Sequence, residues 1–297
     1  MLKSTDVLTE QQREAFARDG VVVLRGHLHV ERDIAPLQMQ ISKVIGLVAK
    51  RYGFGLPEEK RAPENFDAGF LELVAAHPDA AGQIYDALKH LLGFKALAFN
   101  PRLAVIFSQL RQTELIGSSS VSNGIRIDRP QLTSRLVPWH QDFTFQLRSL
   151  DGVVFWIPLV PVTKERGPVR FYRGSHSIGA LPLEDTAGND AAIRNGYYES
   201  VRIADESSLE NKFAETAPET SPGDVVAFDF LSIHRSGHNA STRTRWSAQI
   251  RYFNFEEEFG RSIGWTGSFK ANRTVREINE QLAKVNAGAF GRARAGG

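Results

Sequence analysis

Three residues of this sequence have the types and the spacing of a metal-binding set. His140 and Asp142 stand one residue apart, and His234 follows Asp142 by 92 positions (234 − 142 = 92). Two imidazoles and one carboxylate can bind one face of a ferrous ion and leave the opposite face open to oxygen and a substrate. Arg245 lies eleven positions beyond His234 (245 − 234 = 11) and could bind the carboxylate of an acidic co-substrate by a bidentate contact. Together these residues favour an oxygenase that consumes 2-oxoglutarate.

The short spacing within the first pair has a geometric meaning. On a strand, or at its end, residues i and i+2 point the same way. His140 and Asp142 could therefore reach one ion while Gln141 faces away. The third ligand must come from another part of the sheet. His234 lies just beyond a predicted strand at residues 225–230, which is compatible with strands that meet in a barrel-like double sheet.

Residue types and spacings alone do not identify the metal ion or the third ligand. Two histidines and a carboxylate also bind zinc, although the helical zinc motif His-Glu-x-x-His is absent from the sequence. His238 lies close to His234 and competes with it, and spacing alone does not choose between the two. His176 is a third candidate, which we interpret as a structural residue that supports a turn.

Composition narrows the class of protein. Of the 297 residues, 42% are hydrophobic and 24% are charged, which is enough apolar material for a sizeable core. The net charge of +2 gives no electrostatic case for nucleic acid, and the lack of cysteine excludes disulfides and thiolate metal sites. No apolar run approaches the roughly 20 residues that span a bilayer, and the polar N-terminus does not resemble a signal peptide. We therefore expect a cytoplasmic protein with a small-molecule substrate and no nucleic-acid or membrane partner, in an oligomeric state that is left open.

Helices gather in the first third of the sequence and strands in the rest. Thr9 and Gln12 fit a capping box, and Gly20 fits the position just past a helix end. Further helices are predicted at residues 31–50, 79–97, 101–110 and 273–286. Strands are predicted at residues 21–24, 153–157, 169–172, 225–230 and 246–254, with a loop at 51–67 and a polar insertion at 181–220.

This order of elements predicts a mainly β fold with flanking helices, in one domain over residues 1–297. A mostly helical buttress with an N-terminal strand would occupy residues 1–115, and the β core would occupy residues 120–255. Residues 256–297 would supply a C-terminal helix and a disordered tail rich in glycine, alanine and arginine.

Six short blocks, each weak alone, occur in an order shared with one enzyme family. They are residues 8–24, Pro138-Trp139-His140-Gln141-Asp142, Phe155-Trp156-Ile157-Pro158-Leu159, Gly167-Pro168-Val169, residues 174–179, and Pro222-Gly223-Asp224 with residues 234–241 and Arg245. Through these blocks, which cover most of the chain, the sequence resembles the phytanoyl-CoA dioxygenase family of iron(II)/2-oxoglutarate oxygenases.

The resemblance implies a role for several residues. In the family pattern, the distal metal ligand is the histidine that opens the His-x-Ser-Gly-x-Asn segment, which is His234 rather than His238. The family's 2-oxoglutarate arginine corresponds to Arg245, and two positions that line the co-substrate pocket correspond to Ser236 and Trp156. The resemblance also implies a double-stranded β-helix core of the jelly-roll or cupin type, with iron(II), 2-oxoglutarate and dioxygen as cofactor and co-substrates.

The reaction outcome and the substrate are less constrained. Related halogenating enzymes lack the ligand carboxylate, so the presence of Asp142 favours hydroxylation or another oxidation over halogenation. We expect hydroxylation of a small metabolite or natural-product intermediate. Desaturation, epimerisation or cyclisation by the same chemistry is an alternative, as is a non-catalytic ligand-binding relative. The substrate pocket is expected to involve residues 50–75, 120–136 and 181–220. Three arginines ahead of the iron motif could meet an anionic group or could be ordinary surface charge: Arg126, Arg129 and Arg135.

Overall fold

A computed structural model describes residues 7–56, 62–118, 122–186, 201–267 and 274–289 of the chain. Parts of the predicted insertion at 181–220 and the whole predicted tail beyond residue 289 lie outside the described residues. The helices are α1 (Glu10–Asp19), α2 (Ala35–Arg51), α3 (Phe70–Ala76), α4 (Ala80–Leu88), α5 (Leu92–Ala98), α6 (Pro101–Arg111), α7 (Asp142–Gln146), α8 (Glu258–Ser262) and α9 (Val275–Lys284). Short 3₁₀ or π segments lie at Val30–Ile34, Pro63–Asn65, Ser175–Ile178, Glu206–Leu209 and Val285–Ala289.

The first helix forms as its sequence predicts. Thr9 and Gln12 make both hydrogen bonds of a capping box, and Gly20 ends α1 in the left-handed conformation with φ +70°. A side chain at residue 20 would place its Cβ 2.4 Å from His176 Nδ1 and 2.6 Å from Ser232 Oγ, so the close packing and the backbone both require glycine. The helix end is thereby fixed against the β core.

The prediction of one continuous helix at residues 79–97 is wrong. Residues 79–97 form two helices, α4 and α5, because Leu91 adopts an extended conformation with ψ 132° between them. The amide of Gly93 in the first turn of α5 donates to the side-chain carbonyl of Gln40 in α2. This contact comes from a distant helix, so the local apolar periodicity does not reveal the break.

Strands fill the middle and last thirds of the chain. They are β1 (Val21–Leu24), β2 (Ile116–Ser118), β3 (Gly124–Asp128), β4 (Gly152–Pro158), β5 (Arg170–Tyr172), β6 (Leu183–Asp185), β7 (Val201–Ile203), β8 (Glu215–Thr216), β9 (Val225–Asp229), β10 (His234–Arg235) and β11 (Arg245–Asn254). Six strands form one antiparallel sheet in the order β1-β9-β4-β11, with β2 and β3 both paired to β11. A second sheet has the order β10-β5-β8, and β6 pairs with β7.

The larger sheet lies between the helices and the second sheet. On its helical side, Trp246 packs edge-on against Phe66 and Phe70, with ring centroids 5.5 and 5.0 Å away. On its other side, the Phe228 ring meets Phe171 of β5 at 5.0 Å. The two sheets therefore face each other across an aromatic contact, and the helices cover the outer face of the larger one.

Strand β11 divides its residues between these two environments. From Arg245 to Tyr252, the even-numbered members Trp246, Ala248, Ile250 and Tyr252 are buried and apolar in character. The odd-numbered members of the same stretch, Arg245, Ser247, Gln249 and Arg251, are polar. Because successive side chains of a strand point to opposite faces, this alternation places a row of polar groups on the face turned toward the second sheet.

Within the described residues, no single helix has the length and apolar character to cross a membrane. The segment pair Ala80–Leu88 and Leu92–Arg111 reaches the required length and composition only as two pieces bent by 52°.

Candidate metal centre and adjoining cavity

The backbone brings the two histidines of the predicted set together. His140 and His234 lie directly opposite each other in an isolated antiparallel bridge, and each amide donates to the carbonyl oxygen of the other at 3.0 Å. Directly opposed residues of an antiparallel pair project to the same face. Their ring centroids are accordingly only 4.1 Å apart. This bridge joins residues that are 94 positions apart in the sequence (234 − 140 = 94).

Asp142 joins the histidines from the start of a helix. The expectation that His140 and Asp142 share a side is met, although Asp142 is the first residue of the short helix α7 and not a strand residue. Gln141 faces away, and its side-chain amide donates to the Leu231 and Gly179 carbonyl oxygens. Asp142 Oδ1 lies 3.5 Å from His140 Nε2 and 3.9 Å from His234 Nε2. One potential ligand atom from each residue falls within 4.8 Å of the others, and all three residues are buried.

Both imidazoles are held with the same ring nitrogen inward. His140 Nδ1 donates to the Pro138 carbonyl oxygen, and His234 Nδ1 donates to that of Ser232, each at 2.9 Å. A carbonyl oxygen only accepts, so Nδ1 must carry the hydrogen and Nε2 holds the lone pair in the neutral ring. Burial and the neighbouring His140 lower the pKa of His234 to about 3, against the attraction of Asp142. This donor set fits a divalent metal ion.

The surroundings of the Asp142 carboxylate also favour its role as a metal ligand. Burial disfavours its ionisation and is the largest single effect, but the Arg251 guanidinium and the two histidines together outweigh it and hold the pKa of Asp142 far below its usual range. Arg251 Nε donates to Asp142 Oδ2 at 2.6 Å. The other oxygen, Oδ1, is the one that faces the two histidine Nε2 atoms.

The competing histidines lie elsewhere. His238 is exposed. His176 lies in the 3₁₀ segment that packs under Gly20, and its Nε2 bonds to the Ala17 carbonyl oxygen at 3.0 Å. Within the described residues, the group of histidine and acidic side chains arranged to hold a metal contains His234 and neither of these two.

A cavity opens beside the three residues. It is lined by Arg126, Val137, His140, Trp156, Val169, Phe228, His234, Arg235, Ser236, Arg245, Gln249 and Arg251. The residues assigned to a co-substrate by sequence resemblance, Arg245, Ser236 and Trp156, therefore lie on the same cavity as the two histidines. Ser236 Oγ accepts a hydrogen bond from the Val137 amide at 3.1 Å, which fixes one wall of the cavity.

Arg245 is almost fully buried and already has partners. Its Nε and Nη2 atoms lie 3.2 and 2.9 Å from Asp128 Oδ2, and Nη1 donates to the Gly237 carbonyl oxygen at 3.2 Å. Burial lowers the pKa of Arg245, and Asp128 opposes that shift. These bonds use three of the five guanidinium N–H groups. In the part of the chain that the structure describes, these contacts leave one N–H on each terminal nitrogen.

The pairing of Asp128 and Asp142 with buried cavity arginines was not predicted from the sequence. Asp128 pairs with Arg245 and also with Arg126, whose Nε lies 2.8 Å from Asp128 Oδ1. Arg251 was assigned no role from the sequence, yet it binds the metal-site carboxylate. The polar alternation along β11 is the signal that could have found both pairs, since a buried polar strand face requires partners.

Two phenylalanines of α7 and the arginines ahead of the iron motif lie in different surroundings. Phe145 lies at the metal site, with its ring centroid 5.5 Å from that of His140, whereas Phe143 packs against Phe259 in the main hydrophobic core. Among the three arginines ahead of the motif, Arg126 lines the cavity. Arg135 is exposed, and its carbonyl oxygen accepts from Arg126 Nη2.

Solved structures with the same fold can now be compared. The chain aligns with the non-heme α-ketoglutarate-dependent epimerase SnoN from nogalamycin biosynthesis at 17% identity and a TM-score of 0.52, over 82% of each chain. The non-heme α-ketoglutarate-dependent carbocyclase SnoK from the same biosynthesis gives 15% and 0.51, over 88% of this chain and 92% of SnoK. EctD from S. alaskensis, solved with bound Fe, gives 20% and 0.50, over 84% of this chain and 78% of EctD. The fold is thus one found in non-heme α-ketoglutarate-dependent enzymes.

The sequence match is more specific than the structural one. The model of the phytanoyl-CoA dioxygenase family matches residues 16–247, or 232 of the 297 residues (247 − 16 + 1 = 232). The chain belongs to the phytanoyl-CoA dioxygenase family. The resemblance predicted from the six sequence blocks is confirmed.

Proposed function

We propose that this protein is an iron(II)- and 2-oxoglutarate-dependent dioxygenase that hydroxylates a small molecule. One observation carries the proposal: two histidine Nε2 atoms and one carboxylate oxygen converge beside a cavity in which a buried arginine retains donors. Membership of the phytanoyl-CoA dioxygenase family supports it. We also propose that the two facing sheets form a double-stranded β-helix within a single domain, and that the protein acts in the cytoplasm.

His140, Asp142 and His234 would hold the iron. Their Nε2 and Oδ1 atoms form a two-histidine, one-carboxylate set, the pattern of non-heme iron(II) oxygenases. When bound, iron(II) supplies the activation of dioxygen, coupled to conversion of 2-oxoglutarate to succinate and carbon dioxide. Support comes from a SnoN structure that contains Fe3+, α-ketoglutarate and nogalamycin RO, and from EctD with bound Fe.

Arg245 would anchor the far carboxylate of 2-oxoglutarate, with Ser236 and Trp156 as walls of its pocket. Four arginines line the cavity, whereas the carboxylates paired with them are Asp128, Asp142 and Glu215. The surplus of one positive charge (4 − 3 = 1) suits an anionic keto acid before any metal charge is added. Burial of Arg245 makes its remaining donors stronger partners for a carboxylate than exposed donors would be.

Hydroxylation is the outcome that we propose. The ligand carboxylate that halogenating relatives lack is present as Asp142, which argues against halogenation. The residues around the site act by orientation: the Pro138 and Ser232 carbonyl oxygens fix the two rings, and Phe145 shields one edge of His140. Exclusion of water by these buried walls would protect the oxidising site from side reactions.

Anaerobic spectroscopy and product release test this function together. Addition of 2-oxoglutarate to the iron(II)-loaded protein should produce a weak visible absorption band, and oxygen with a panel of small metabolites should then release succinate. His140→Ala should lose both signals. The proposal fails if the parent protein gives no band with saturating iron(II) and 2-oxoglutarate, or if His140→Ala turns over 2-oxoglutarate at the parent rate.

A further inference from the structure

Asp142 is anchored at both ends of its side chain. Its backbone is fixed where α7 begins, and the next amide, that of Phe143, donates to the Phe230 carbonyl oxygen at 2.9 Å. Its carboxylate is fixed by Arg251, whose Nε lies 2.6 Å from Oδ2. The carboxylate is therefore held in one rotation, with Oδ2 on the guanidinium and Oδ1 toward the histidines.

Arg251 is itself held from several directions. Its Nη1 donates to the Ser122 carbonyl oxygen, and its Nη2 donates to the Gln249 side chain at 3.3 Å. Its own amide donates to the Asn123 side-chain oxygen at 2.8 Å. An arginine with this many fixed contacts presents Nε in one place, which a flexible lysine ammonium would not do.

From this geometry we infer that Arg251 is a positioning residue that makes Asp142 a one-oxygen ligand. The inference rests on the proposed metal site. By occupying Oδ2, the guanidinium prevents the carboxylate from binding a metal ion with both oxygens, and the ligand positions opposite the three side chains stay open. Arg251 also gives the buried Asp142 carboxylate an oppositely charged partner, and an unpaired buried charge would destabilise the fold.

Two effects of Arg251 on metal affinity have opposite signs. Its positive charge repels a cation nearby, whereas its hydrogen bond orients the ligand that attracts the cation. Partners that orient metal ligands usually contribute about 10- to 100-fold to metal affinity. We expect orientation to prevail, because Asp142 is fully buried and Arg251 is the partner that the structure gives to Oδ2.

The test compares two matched substitutions on β11 with manganese(II) as the only ligand. Arg251→Gln and Arg245→Gln each remove one buried arginine from an aspartate, but only the first touches the metal-site carboxylate. Free manganese(II) is measured by electron paramagnetic resonance without any keto acid, after thermal unfolding of the metal-free proteins has shown that both variants fold. We expect the Kd to rise about 10- to 100-fold for Arg251→Gln and to stay near the parent value for Arg245→Gln.

Each other result is decisive. An Arg251→Gln Kd equal to or below that of the parent refutes the positioning role while leaving the metal site intact. Equal losses in both variants also refute it, because they would reflect general damage to the cavity. No binding by the parent protein would refute the proposed function itself. If Arg251→Gln does not fold, Arg251→Lys is titrated instead, and parent affinity there overturns the inference because the ammonium lacks the fixed Nε–H.

Discussion

The sharpest prediction concerns replacement of Arg245 by glutamine. In the structure two N–H groups of this guanidinium, one on each terminal nitrogen, remain after its bonds to Asp128 and Gly237 are counted. A hydrogen bond to a charged group contributes about 1.5–3 kcal/mol, so two to a 2-oxoglutarate carboxylate contribute at least about 3 kcal/mol. Glutamine can return about 1 kcal/mol through one neutral bond. The net loss of about 2 kcal/mol corresponds to an approximately 30-fold higher Kd for 2-oxoglutarate.

The assay is an anaerobic titration of the iron(II) protein with 2-oxoglutarate, followed by its visible absorption. Arg243→Gln is the matched control, because Arg243 lies two residues away on the same segment, is 52% exposed and pairs with Asp67 at the surface. That variant should bind within about twofold of the parent, since Arg243 is not among the residues that line the cavity. An unchanged Kd in Arg245→Gln, with a weakened one in Arg126→Gln, would transfer the anchoring role to Arg126 and refute the assignment.

Three further predictions concern the ligands, acid sensitivity and packing. Asp142→Ala should abolish manganese(II) binding in an equilibrium titration, whereas His238→Ala, at an exposed position, should bind as the parent does; the reverse pattern would reassign the ligand set. Because pairing with arginines lowers the pKa of Asp128 in the fold against the effect of burial, its stabilisation is complete above the unfolded pKa of about 3.9 and is lost as pH falls through the lower folded value. Urea unfolding should therefore show a stability gap between the parent and Asp128→Asn that is widest above about pH 5 and shrinks in acid, and a gap that grows in acid would contradict this sign. Gly152→Ala would put a Cβ 2.1 Å from Phe230, so its free energy of unfolding should fall by about 1–3 kcal/mol; no loss would mean that the ring moves freely.

Much of the site could be predicted because its logic is local or belongs to a known pattern. The same-side placement of His140 and Asp142 follows from i and i+2 spacing, and Gln141 turns away as expected. The choice of His234 over His238 came from the family resemblance, and the structure places His234, not His238, beside the other two. Residue types and short spacing therefore predicted the pair His140 and Asp142, and the family resemblance supplied the third ligand, His234.

What could not be predicted depends on contacts between distant parts of the chain. The pair between Arg251 and Asp142 joins residues 109 positions apart, and no local pattern encodes it. The same holds for the break between α4 and α5, where a Gln40 side chain in another helix binds the first turn of α5. The start of a helix at Asp142 was likewise missed, because five residues are too few to show helical periodicity.

The alternation along β11 has a consequence for how this protein can change. A shift of one position in the register of that strand would turn Arg245 and Arg251 toward the apolar core and bring Trp246 into the cavity. The strand pairing that buries the apolar face therefore also positions the polar face. An inserted or deleted residue in β11 would therefore disrupt both the apolar core and the cavity. New specificity should therefore arise by substitution within this strand, whereas changes in length should be confined to the loops that surround it.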